Sequence, residues 1–128
     1  MAAPVHLSTA LRYNIVREGA DQRGWTIQII EYIYSLRDES DTAFLANHWH
    51  PSDGNRVRHA HLHGRAGALS SASPLRRVHV ATGMVALGDV LLTAIDEFGV
   101  QPRERHQHDW RYVLAETRAA TRELVPDI

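Results

Sequence analysis

The sequence holds no cysteine and no lysine. Without cysteine there are neither disulfides nor thiolate metal sites, so any metal must be held by His, Asp or Glu. The same absence agrees with a cytosolic setting, and a cytoplasmic protein is expected. Without lysine, all 14 basic residues are arginine, a usage that GC-rich coding explains. No apolar run approaches the roughly 20 residues of a membrane span. Met1–Ala10 has neither a basic n-region nor an apolar h-region, so no secretory signal is expected. There is also no His-Glu-x-x-His pattern, and with it goes the usual metallohydrolase base.

What is present is ordinary for a globular chain: 128 residues, 44% hydrophobic and 23% charged. That length predicts a single domain over 1–128, large enough to bury a core. The net charge of −1 hides a segregation. Arg56, Arg58, Arg65, Arg76 and Arg77 lie between positions 48 and 77, against Asp53 alone. Arginine presents a planar fork suited to phosphate and carboxylate. The patch suits an anionic ligand, nucleic acid included, although it is weaker than the basic stripe of a committed DNA binder.

Those arginines flank the most distinctive stretch. His48-Trp49-His50 and His59-Ala60-His61-Leu62-His63 place histidines at alternate positions of two short runs. Alternate residues of a strand share a face. Between the runs stand Pro51, Ser52, Asp53, Gly54 and Asn55, all turn formers. A hairpin with a long loop is expected, with His50 opposite His59 and His48 opposite His61. Its other face, Leu45, Trp49, Ala60 and Leu62, would then turn to the core.

Two chemistries fit such a cluster. In metal-free acid–base work on phosphate, two of His48, His50, His59, His61 and His63 serve as base and acid. Their ordinary pKa of ~6.5 lies near working pH. Arg58 and Arg65 would stabilise phosphate charge, and Tyr32 and Tyr34 would reach the patch from the neighbouring strand. An RNA 2′-hydroxyl would supply its own nucleophile, the logic of a small ribonuclease. In metal binding, His48, His50, His59 and His61, or three of them with water, would hold zinc or another divalent transition ion. One ion cannot take all of His59, His61 and His63, whose outer pair stands roughly 13 Å apart at ~3.3 Å per residue. The bland alternative makes the histidines plain sheet residues. It is the better account of any single one, such as His6 or His79, and His106 and His108 read as loop residues.

The rest of the chain reads as α+β: an antiparallel meander of about four strands, then two C-terminal helices packed on one face. Met1–Ala10 looks like a loose arm and Leu11–Glu18 a short first strand. Trp25–Leu36 is the longest strand, rich in β-branched and aromatic residues, with broken alternation at Ile29-Ile30 that predicts a bulge. Thr42–His50 and Val57–His63 follow, then a Gly/Ala/Ser-rich connection, Gly64–Pro74, and a possible last strand, Leu75–Ala81. Leu87, Val90, Leu91, Ala94, Ile95 and Phe98 fit the helical template, stopped by Gly99 and Pro102. Asp109 is a good N-cap for a second helix with Trp110, Val113, Leu114, Thr117 and Leu124 on its apolar side and Pro126 at its end. Trp25, Trp49 and Trp110 are expected in the core.

His59-Ala60-His61-Leu62-His63 resembles the run of histidine-triad nucleotide hydrolases. There two apolar residues follow and the domain closes, whereas Gly64 and Arg65 follow here. A wider pattern covers residues 25–98: Tyr32-x-Tyr34, Asp38, then His48-Trp49-His50-Pro51, then His59-Ala60-His61-Leu62-His63, then the Val85–Phe98 helix. It resembles small bacterial His-rich proteins similar to the TumE-like toxins of toxin–antitoxin modules. Their usual Arg-Tyr-Asp-Asn stretch is replaced here by Leu45-Ala46-Asn47-His48. The resemblance implies a toxin-like cytosolic protein whose site acts on RNA, a nucleotide or another phosphate-bearing ligand. It also implies an antitoxin protein as partner. A homodimer is compatible with the sequence, and the competing class is a non-catalytic metal-binding or partner-binding module.

Overall fold

A computed structural model describes residues 4–19, 24–52, 54, 57–64, 79–103 and 108–122. Five antiparallel strands form one sheet in sequence order: β1 (His6–Glu18), β2 (Gly24–Arg37), β3 (Ala43–Trp49), β4 (His61–Gly64) and β5 (His79–Ala81). Two helices follow, α1 (Leu87–Asp96) and α2 (Trp110–Arg122). The α+β meander is therefore present, with five strands. Among the described residues no helix is long and apolar enough to cross a membrane.

Alternation sets which side of each strand meets the core. Tyr32 opposes Trp49 and Tyr34 opposes Asn47, so these share one face. Val90 and Ala94 of α1 pack on that face against Ile29, Tyr32, Tyr34, Leu36 and Trp49. The bulge falls where the apolar doublet placed it: Arg12 pairs with Glu31 and Tyr13 with Ile29, leaving Ile30 without an opposite residue. The extra residue keeps Ile29 on the core side despite the broken period. The β2–β3 turn has no glycine. Asp38 Oδ1 accepts from the Ser40 hydroxyl (2.7 Å) and from the Ser40 and Thr42 amides (both 3.0 Å). Those hydrogen bonds hold the Asp38 carboxyl below its ordinary range. Asp41 supplies the left-handed residue at φ 62.

The N-cap of α1 is Ala86, whose amide donates to Asp89 Oδ2 (2.9 Å). It ends before Gly99, at φ 69, and the Val100 amide donates to the Ala94 carbonyl (3.1 Å). α2 reaches the sheet through α1. Arg118 pairs with Asp89 and Arg111 with Asp96 (3.2 Å). Gly88 leaves room for the Arg118 side chain, whose Cγ would stand 2.5 Å from an added Cβ. Asp89 thus caps one helix and anchors the other. Asp89→Ala should lower the urea midpoint, at a cost of about 1–2 kcal/mol. An unchanged midpoint would show that α2 is not held through this carboxylate.

Several expectations are corrected. β1 begins at His6, so half of the expected arm, residues 6–10, is strand. Trp25 lies on the exposed end of the sheet, 62% accessible, with the Arg17 guanidinium 4.7 Å from its ring centre. Trp110 is half-buried and Val113 exposed, so the apolar stripe of α2 is narrow. β4 begins at His61 and β5 covers only His79–Ala81. The 65–78 connection, His106, Leu124 and Pro126 lie outside the described residues.

Burial pushes the Tyr34 hydroxyl up to about 12, with the neighbouring Tyr32 adding to the rise. It also raises Tyr32, against the hydrogen bond from the Val85 amide. The unfolded chain therefore loses these protons first, near pH 10. Stability contributed by the two phenols is complete below pH 10 and is lost as pH climbs toward the folded values, by ~2–3 kcal/mol for Tyr34. Urea midpoints between pH 9 and pH 11.5 should fall, and Tyr34→Phe should flatten the decline. Equal slopes in both proteins would exclude this coupling.

Candidate metal centre

The face opposite α1 carries the histidines. His48 opposes His61, and His63 opposes His79. The alternation within His61-Leu62-His63 keeps His61 and His63 on one side while Leu62, opposite Asn47, turns to the other. Rings of three strands converge in this way. His48 stands 5.7 Å from His61 and 4.5 Å from His63, centre to centre. His61 and His63 are 4.8 Å apart. One ring nitrogen from each of His48, His61 and His63 lies within 4.8 Å of the others.

His61 is the buried member, 3% accessible. Its Nδ1 lies 2.8 Å from the His59 carbonyl oxygen. A carbonyl only accepts, so Nδ1 carries the proton and Nε2 of the neutral ring is left with its lone pair. That lone pair meets His63 Nε2 at 3.0 Å. The backbone thus fixes the tautomer and aims the free nitrogen into the cluster, as an outer hydrogen bond does for a metal-ligating histidine.

A polar row continues across the sheet. His50, just past β3, stacks edgewise on His48 at 5.4 Å. Its Nδ1 lies 3.9 Å from Glu31 Oε1, and Glu31 Oε2 takes a salt bridge from Arg12 at 2.7 Å. On the other flank His79 stands 4.3 Å from His63 and 5.0 Å from His61. Two members of this row escape a reading of the His runs alone, Glu31 and His79. Strand parity could have found Glu31, whereas His79 needed the pairing of β5 with β4 as well. Glu31 precedes core-facing Tyr32, and a strand ending at Ala81 brings His79 opposite His63.

The expected four-histidine set, His48, His50, His59 and His61, is not the set brought together. The β3–β4 ladder stops at His48–His61. His59 lies before β4, exposed, and meets His61 through its carbonyl, with the rings 5.9 Å apart. His63 takes the place expected of His59, because β4 runs from His61 to Gly64. Tyr32 and Tyr34 are also corrected. They sit one residue out of phase with the His side, Ile33 being the residue opposite His48. Both are buried in the core, stacked at 4.7 Å, and the Tyr32 hydroxyl accepts the Val85 amide at 3.0 Å. Neither reaches a ligand on the histidine face. Arg58 is exposed one residue before His59, whereas Arg56, Arg65, Arg76 and Arg77 lie outside the described residues. A cavity of about 300 Å³ between α1 and the sheet, lined by Leu45, Asn47, Leu62, Val85 and Val90, lies on the far side from the imidazoles.

Imidazole nitrogens grouped without thiolate suit zinc, copper, nickel or iron. Two nitrogens each ~2.0–2.1 Å from one tetrahedral ion stand roughly 3.3–3.4 Å apart. The 3.0 Å contact between His61 and His63 needs only a small adjustment to reach that spacing. The chain matches no protein-family model, no curated protein and no solved structure.

Proposed function

We propose that the chain binds a divalent transition-metal ion through His48, His61 and His63. The carrying observation is His61, whose tautomer is set by the His59 carbonyl and whose Nε2 meets a second imidazole nitrogen at 3.0 Å. An ion would replace the single proton shared by those two nitrogens. Three protein ligands leave coordination positions for water or for an oxygen of a phosphate-bearing ligand, the arrangement of catalytic rather than structural centres. When bound, the ion would supply Lewis acidity and a lowered pKa for its water. Arg58, exposed beside His59, offers a phosphate contact near the site.

Protein purified without a His tag should carry zinc, iron, copper or nickel near stoichiometry by elemental analysis. Cobalt(II) added to the metal-free chain should give visible d–d bands that vanish in His48→Ala and His63→Ala. Absence of metal from the isolated protein together with absence of cobalt bands would remove this reading.

The same contact favours a second reading, metal-free chemistry on RNA or another phosphate ester. A ring nitrogen that donates beside one that accepts is the pairing general acid–base catalysis uses. This is the toxin-like function, with an antitoxin protein as partner. Expression would then arrest bacterial growth, His61→Ala would relieve the arrest, and purified activity would survive chelation. Arrest that persists in the His59→Ala/His61→Ala double variant would place the chemistry elsewhere.

A further inference from the structure

β1 forms one edge of the sheet, and among the described residues no strand pairs with its outer side. Every residue from His6 to Ile15 is exposed. Such an edge is a template for another strand, and proteins ordinarily blunt it with proline, charge or a covering element. β1 has no proline, and its charged residues are Arg12, Arg17 and Glu18. Its alternation is regular. Leu7, Thr9, Leu11, Tyr13 and Ile15 share the face that farther along meets α1, since Leu7 opposes Leu36 and Leu11 opposes Tyr32. Leu7, Leu11, Tyr13 and Ile15 remain 39%, 42%, 49% and 65% accessible. α1 packs on β2 and stops short of this stripe.

We infer that β1 pairs antiparallel with β1 of a second copy, about a two-fold axis at Leu11, joining the two sheets edge to edge. The occupant is chosen by self-complementarity. In this register Leu11 meets Leu11, Leu7 meets Ile15 and Thr9 meets Tyr13, so the apolar stripe of one copy continues into the other. On the opposite face Ala10 meets Arg12 and Ser8 meets Asn14, and no like charges are opposed. Moving the axis to Arg12 sets two guanidinium groups against each other and Leu7 against Arg17. Moving it to Ala10 leaves Ile15 without a strand residue to face. An axis at Tyr13 gives a ladder of equal length without like charges, but it leaves Leu7 beyond the strand and sets Thr9 against Arg17, so the Leu11 register is the one that keeps Leu7, Leu11 and Ile15 all in matched apolar pairs. A two-fold axis needs this matching of a patch with itself. The inference is independent of the metal, because β1 contributes no histidine to the cluster.

The absence of cysteine gives a direct test of register. Directly opposed residues have Cα atoms ~4.5–5.5 Å apart, within disulfide range. Mild oxidation of Leu11→Cys should therefore give a covalent dimer on a non-reducing gel. Thr9→Cys would place its two thiols four residues out of register, roughly 13 Å, and should crosslink at least about tenfold less. Sedimentation of the wild type at 100 µM should report twice 14.4 kDa, and Leu11→Arg should halve that mass with its circular dichroism unchanged. A wild type that sediments as a monomer overturns the inference, as does equal crosslinking of the two cysteine variants. A β1 edge that binds some other protein would give the monomer result.

Discussion

Saturating zinc should raise the melting temperature of the metal-free chain by about 10 °C, and His61→Ala should abolish the rise. An ion that binds only the folded state stabilises by about 2.7 kcal/mol at a hundredfold excess over Kd, and each kcal/mol moves a domain of this size by a few degrees. His61 should be the most sensitive position, because it is both a proposed ligand and the buried ring tied to the His59 carbonyl. Its loss removes a ligand, orphans that carbonyl and opens space under the sheet. His61→Ala should therefore lower stability even without metal, by about 1–3 kcal/mol. His48→Ala and His63→Ala should lose the zinc response with smaller intrinsic cost, since both rings are half-buried. His59→Ala is the control. Its backbone oxygen, not its ring, orients His61, so the zinc response should persist. His79→Ala should weaken binding by about tenfold, as a group that packs on a ligand. Calorimetry across the wild type and the five variants, with and without zinc, reads all of this. A melting temperature that zinc leaves unchanged in every one would reduce the cluster to a packed row of imidazoles.

The particular residues show where sequence reasoning carries and where it stops. The pairing of His48 with His61 follows from period-two spacing and a turn-rich loop, and both are local. The bulge at Ile30 follows from one broken alternation. Gly99 stops α1 because the left-handed backbone there favours glycine. What was not legible depended on long-range register. The Tyr32 and Tyr34 positions needed the phase of β2 against β3, and a shift of one residue exchanges the faces completely. His79 needed the pairing of β5, reached after a long connection. The replacement of His59 by His63 turned on where the ladder begins, which Pro51–Ala60 does not announce. Trp25 shows a different limit. Aromatic and β-branched composition marks the strand but does not say how far the helices extend over it.

Tyr32→Ala should be among the most damaging single changes on the core side, costing ~3–5 kcal/mol. Marginal stability of 5–15 kcal/mol makes that a large fraction of the total. Tyr32 is 1% accessible, stacks on Tyr34 at 4.7 Å and lies 6.0 Å from the Trp49 ring. Its hydroxyl takes the Val85 amide at 3.0 Å, one residue before Ala86, the N-cap of α1. One side chain thus ties the sheet to the segment that launches the helix. The variants separate its two contributions. Tyr32→Phe keeps the ring and leaves the Val85 amide without its acceptor, so it should cost about 1–2 kcal/mol. Tyr32→Ala removes both. Trp49→Phe offers the contrast, since among the described residues the buried Trp49 Nε1 has no hydrogen-bond partner. That change discards an unsatisfied donor and should cost less than its lost volume alone would suggest. All three variants leave the histidine face untouched, so zinc binding should survive in whatever fraction stays folded. Chemical denaturation with tryptophan fluorescence, and far-UV circular dichroism for Trp49→Phe, measures the ranking. A Tyr32→Phe variant as stable as the wild type that nevertheless loses ligand binding would return the Tyr-x-Tyr pair to the functional site and contradict its place in the core.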